Sequence, residues 1–276
     1  GSDPSGFSAL DEWLYFSADD GSNGYELWRT NGTSTNLVFD INPIGDSSPN
    51  YFAALGEWLY FSAGDGASGF ELWRTNGTST ARVSAVSYPS ELTTFGDYVY
   101  FRADDGTTGY ELWRTNGTTT ARVADINPSG ADSSNPSGFT PFGDWLYFTA
   151  VDSTFGFELW RTNGTSTNRV ADINLAVGAG SNPNGFTALN DWLYFQAADA
   201  TEGNELWRTN GTTTELFYDI NTTGLGSSDP TGFTHHWSFH TGGCNWALAD
   251  GSVRFISYSS GTNVVTQING INVTLL

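Results

Sequence analysis

The sequence contains no lysine and no methionine, only one cysteine (Cys244), and three histidines confined to residues 235–240. A lone cysteine excludes an internal disulfide, which is compatible with a bacterial exported protein. All ten cations are arginines, against 30 Asp and Glu, and the net charge of −20 argues against a nucleic-acid or anionic-membrane surface. No apolar run reaches 18 residues, so no helix spans a membrane. The missing Met at position 1 and the lack of a signal peptide point to a processed form of the chain. His and Cys chemistry is limited to His235, His236, His240 and Cys244. Their spacing suits a helix while their context reads as strand and loop, which disfavours zinc. Nothing upstream orients a Cys-His nucleophile either, and no enzyme is expected.

What the chain does contain is repetition. The octapeptide Glu-Leu-Trp-Arg-Thr-Asn-Gly-Thr occurs five times, beginning at Glu26, Glu71, Glu111, Glu158 and Glu205. A period of 40 to 47 residues marks units too small to bury their own apolar faces, so they must stack. Each unit reads as four short strands separated by turn residues. The second strand, Trp192-Leu193-Tyr194-Phe195 in the fifth unit, carries large groups on both faces, and both faces therefore need cover. That is the situation of a blade in an all-β propeller, and four strands in about 45 residues is a usual blade size.

Six four-stranded blades are expected in a single domain spanning 1–276: residues 3–47, 48–88, 89–134, 135–181, 182–228 and 229–269. The third unit is irregular, with Tyr98 where the others have Trp and Ala85-Val86-Ser87 in place of Asp-Ile-Asn. The sixth is degenerate, recognised because Gly232-Phe233 follows Gly185-Phe186 by 47 residues. A strand in 270–276 is left over, either to clasp the ring or to reach a neighbouring molecule. Ten of the eleven Trp fall in two repeat positions, where they read as blade core rather than sugar-stacking platforms.

The octapeptides, each preceded by Leu-Tyr-Phe-x-Ala-x-Asp or a close variant, resemble the bacterial ELWxxDGT repeat family over about residues 3–221. That resemblance implies an exported, propeller-like protein at the cell surface. Separately, His240 and Asp250-Gly251, with nine residues between them, are similar to the H-X9-DG segment of pilin-like exported proteins of planctomycete-type bacteria.

Where the ELWxxDGT pattern has Asp, this chain has Asn31, Asn76, Asn116, Asn163 and Asn210, and each creates an Asn-Gly-Thr acceptor for N-glycosylation. Asn221 and Asn272 begin two more such sequons. The competing reading is a two-residue Asn-Gly hairpin turn. A second constellation pairs carboxylates six residues apart: Asp20/Glu26, Asp65/Glu71, Asp105/Glu111, Asp152/Glu158 and Asp199/Glu205. Hard oxygens on loops suit calcium, the one cofactor suggested. Against it stands a structural role, with Asp starting a turn and Glu pairing with an arginine such as Arg29 or Arg74. Five equal pairs do not resemble a glycosidase dyad, which needs one pair in divergent environments. The expected function is a glycosylated extracellular subunit of a filament or coat that self-associates. The alternative is a lectin-like or adhesive propeller.

Overall fold

The computed structural model describes residues 1–128, 132–176, 178–201 and 203–218, together with four later strands. The first sheet consists of β1 (Ser5–Leu10), β2 (Trp13–Asp19), β3 (Tyr25–Thr30) and β4 (Thr35–Phe39). The second holds β5 (Asn50–Leu55), β6 (Trp58–Gly64), β7 (Phe70–Thr75) and β8 (Thr80–Ser84). The third holds β9 (Ser87–Phe95), β10 (Tyr98–Asp104), β11 (Tyr110–Thr115) and β12 (Thr120–Ala124). The fourth holds β13 (Ser137–Phe142), β14 (Trp145–Asp152), β15 (Gly156–Thr162) and β16 (Thr167–Ala171). The fifth holds β17 (Asn184–Leu189), β18 (Trp192–Asp199), β19 (Gly203–Thr209) and β20 (Thr214–Tyr218). Each sheet is an antiparallel meander in chain order, and the described residues contain no helix.

Successive sheets meet through their first strands, β1 with β5, β5 with β9, β9 with β13 and β13 with β17. This is the radial stacking of a β-propeller. The strand pattern explains it: along β2 the side chains of Leu14, Phe16 and Ala18 share one face, while Trp13, Tyr15 and Ser17 share the other. In each of the four joints the Tyr face of one blade meets the Leu/Phe/Ala face of the next, with Val99 in place of the Leu in the third blade. Tyr15 and Leu27 of the first blade pack with Leu59, Phe61 and Ala63 of the second, and Tyr147 and Leu159 of the fourth with Leu193, Phe195 and Ala197 of the fifth. The strands are apolar on both faces because both faces are interior.

Each first strand carries a bulge with a positive-φ residue, Gly6, Gly138 and Gly185 in three blades and Tyr51 in the second, while the first strand of the third carries two irregularities, with Tyr88 and Glu91 at positive φ. A side chain at positive φ is strained, and those two blades carry that strain beside the axis.

Later in the chain, β21 (Gly243–Ala247) pairs with β22 (Val253–Ser257), and β23 (Val265–Ile268) with β24 (Ile271–Thr274). The terminal strand, expected to be left over, thus pairs with the strand before it. The four strands form two hairpins rather than one sheet. The rest of the expected sixth unit, with Asn221, His235, His236 and His240, lies outside the described residues.

Candidate functional site

The five repeated Glu side chains are buried, and in three blades the carboxylate ties down the linker to the next blade. Oε2 of Glu26 accepts a hydrogen bond from the Ile41 backbone N–H at 3.0 Å, and Oε1 accepts one from Ser47 N–H at 2.9 Å. The Ser47 hydroxyl donates to Oε2 at 2.5 Å. Glu111 repeats this with Ile126 (3.1 Å) and Ser134 (2.8 and 2.6 Å), and Glu158 with Ile173 (3.4 Å) and Ser181 (2.8 and 2.6 Å). Glu205 is buried as well.

The second blade differs because its linker is shortened to Ala85-Val86. Glu71 instead accepts two bonds from Arg82, at 2.9 and 3.0 Å. The expected pairing of Glu with Arg29 or Arg74 is therefore corrected. The Glu is a latch for the chain between blades, and where the linker cannot reach it an arginine of the next strand does.

The paired Asp residues sit in the exposed turn between the second and third strands. Asp20 accepts from Ser22 and Asn23 N–H, Asp65 from Ala67 and Ser68, Asp105 from Thr107 and Thr108, Asp152 from Thr154 and Phe155, and Asp199 from Thr201. Their oxygens are thus engaged by local backbone, as turn-starting Asp residues should be. Among the described residues no group of three or more His, Cys, Asp or Glu could hold a metal ion.

Burial pushes the carboxyls of Glu26, Glu111 and Glu158 above the ordinary range, against the downward pull of their Ser and backbone donors. The donors at the turns pull Asp20 and Asp65 down, and the Thr107 hydroxyl leads in holding Asp105 at about 2. A raised folded-state pKa gives stability that is present below the unfolded value of 4.5 and lost as pH rises through the folded one. The lowered Asp groups contribute stability above 3.8 that is lost as pH falls toward about 2. The thermal midpoint is accordingly expected to rise when buffer moves from pH 7 toward pH 5, and to fall again in stronger acid. Self-repulsion of the −20 charge acts with the same sign and is screened by salt. A gain that vanishes entirely in high salt would show that the buried Glu residues contribute nothing to it.

The Asn-Gly-Thr segments form four-residue loops, such as Asn31 to Ser34, in which Asn31 N–H donates to Ser34 O at 3.2 Å. This corrects the two-residue turn. A type I′ turn needs positive φ at both central residues, yet Gly32 has φ +83° and Asn31 is not in that region. The Asn Oδ1 instead accepts from the N–H groups two and three residues ahead, at 2.8–3.0 Å in all five loops. Asn31, Asn76, Asn116, Asn163 and Asn210 are all exposed. Asn272 lies on β24.

These loops are also the second half of each joint. Arg29, Arg74, Arg161 and Arg208 lie over Trp13, Trp58, Trp145 and Trp192 at 4.1–4.2 Å from the ring centroid, and Arg114 over Tyr98 at 4.3 Å. From there Arg74 donates to Gly117 O at 3.1 Å, and Arg161 to Gly211 O at 2.7 Å, in the loop of the next blade. The arginine covers one face of each of these half-buried rings. The other Trp row (Trp28, Trp73, Trp113, Trp160, Trp207) has its indole N–H buried without a hydrogen-bond partner, so it has no exposed donor for a ligand and serves as core.

Between the fourth and fifth blades this geometry leaves an open groove of about 950 Å³, lined by Asp144, Trp145, Arg161, Asn190, Asp191 and Asn210 among others.

The signal missed in the sequence was the serine. Ser47, Ser134 and Ser181 each begin Ser-Ser/Asn-Pro, 21 to 23 residues after the Glu they bind.

No curated protein matches the sequence. Among solved structures, a prolyl endopeptidase from a study of two such enzymes is similar at 16% identity and a TM-score of 0.52, over 78% of this chain and 35% of that one. A TolB structure from Agrobacterium tumefaciens is similar at 12% identity and a TM-score of 0.44, over 73% of this chain and 76% of that one. The first of these likenesses supports the propeller fold and nothing beyond it, and this chain spans about a third of that endopeptidase's length. The resemblance to the ELWxxDGT family is overturned by a family model that runs through three octapeptide copies and the H-X9-DG segment. In the fold the octapeptide's Glu holds the linker to the next blade, and its Trp, Arg and Gly serve the joints between blades. Matched over residues 103–262, more than half its length, the chain belongs to the family described as Protein of unknown function (DUF1559).

Proposed function

We propose that the chain is a glycosylated structural subunit of a cell-surface filament or coat. The family is a pilin-like surface protein family, compatible with a structural role at the cell surface. The observation that carries the finer reading is the fivefold exposure of the sequon Asn and Thr on equivalent loops. On this reading the repeated carboxylates and aromatics hold blades together and the chain is not an enzyme.

The test is the intact mass of protein from its natural source, set beside the 29.8 kDa of the polypeptide. Added mass removed by N-deglycosylation, with large assemblies in native sizing, is expected. A bare mass rejects the glycan, and a monomer at all concentrations rejects the filament.

One observation favours a second reading, a carbohydrate-binding module. The groove beside Trp145 combines an aromatic ring with Arg161, Asp144, Asp191 and two Asn side chains, a mixture suited to a neutral polyol. Retention on immobilised polysaccharide by a monomeric, unglycosylated chain would favour it.

A further inference from the structure

Among the described residues, four joints between five blades leave two faces without a blade against them, and the two are halves of the same joint. On the fifth blade Tyr194 and Leu206 are half-buried, whereas Tyr15, Tyr60, Tyr100 and Tyr147 are at most 2% exposed and Leu27, Leu72, Leu112 and Leu159 fully buried. On the first blade Leu14 is 38% exposed, whereas Leu59, Val99, Leu146 and Leu193 are fully buried. Phe16 is likewise half-buried where its four counterparts are buried.

The polar half of the joint shows the same opening. A Cβ added at Gly77, Gly117, Gly164 or Gly211 would strike a Tyr hydroxyl and an Arg of the preceding blade, while at Gly32 it would meet nothing within 4 Å. Arg74 and Arg161 reach the glycine carbonyl of the next blade, but Arg208 turns back to Glu215 on its own blade.

We propose that residues 219–276 of the same chain occupy this opening as a sixth unit. The occupant needs a Leu/Phe-accepting face on one side and a Tyr/Leu-accepting face on the other, which is what a blade presents. The segment starts where β20, the outer strand of the fifth blade, ends, as every earlier linker starts at the outer strand of its blade. It has 276 − 218 = 58 residues, enough for a unit of 40 to 47, and contains β21 to β24. The inference stands apart from the filament reading and survives if that fails.

Hydroxyl-radical footprinting of the full chain tests it, with native mass spectrometry at the same concentrations. Leu59 and Tyr147 serve as buried references, and Ile44 and Leu175, 91% and 80% exposed, as exposed ones. In a monomer, Leu14 and Tyr194 are expected to react as slowly as Leu59 and Tyr147, with Trp246 and Phe255 protected alongside them. Reaction at the rate of Ile44 would show bare faces and overturn the proposal. So would protection that is lost when an oligomer is diluted, which assigns the opening to a second copy. Protected Leu14 and Tyr194 beside fully reactive Trp246 and Phe255 would exclude this segment as the occupant.

Discussion

Glu111→Ala is expected to destabilise the protein by about 3–5 kcal/mol, because three buried donors lose their acceptor together and each unsatisfied donor costs about 1–3 kcal/mol. Ser134→Ala removes only the hydroxyl's bond and should cost about 1 kcal/mol. Glu71→Ala makes a useful contrast. Its partner Arg82 is 46% exposed and returns to water when released, so the same substitution at the equivalent position should cost distinctly less. Urea unfolding of the three variants measures the ordering. If Glu111→Ala proves no more costly than Glu71→Ala, the carboxylate does not hold the linker.

The second large effect separates two glycines with identical backbone. Gly32 and Gly117 both have φ of +83° and both follow Asn in the same loop. Alanine at either position pays for the left-handed conformation, about 1–2 kcal/mol. At Gly117 its Cβ would also lie 2.2 Å from the Tyr60 hydroxyl and 2.3 Å from Arg74, adding roughly 1–3 kcal/mol of overpacking. Gly117→Ala should therefore unfold at lower denaturant than Gly32→Ala. Equal midpoints would mean that the loop of one blade does not bear on its neighbour.

The strands were legible in the sequence because their chemistry is local. Apolar groups on both faces of Trp192 to Phe195 can be satisfied only between two sheets, and the octapeptide gave the spacing. The partner of the buried Glu was not legible, since Glu158 and Ser181 are 23 residues apart and meet only once a linker folds back to the blade it leaves. Pairing with arginine looked natural from opposite charge, yet Arg161 is drawn instead to the face of Trp145 and a carbonyl of the following blade. The Asn-Gly loops misled in a similar way. Asn at such a position commonly accepts positive φ, but here Thr30 closes a longer loop by donating to Ser34 O, and Asn31 keeps an ordinary backbone.

At each joint among the described blades one unit holds with its Tyr, Trp (or Tyr98) and Arg, and the next is held by its glycine loop. A duplicated unit thus arrives with both of its connections made, and ancestral copy number could rise or fall by whole units without any new contact having to evolve. The second linker shows the complementary freedom: it has no Ile and Ser partners for the Glu, and Arg82 binds Glu71 in their place while both blades remain four-stranded.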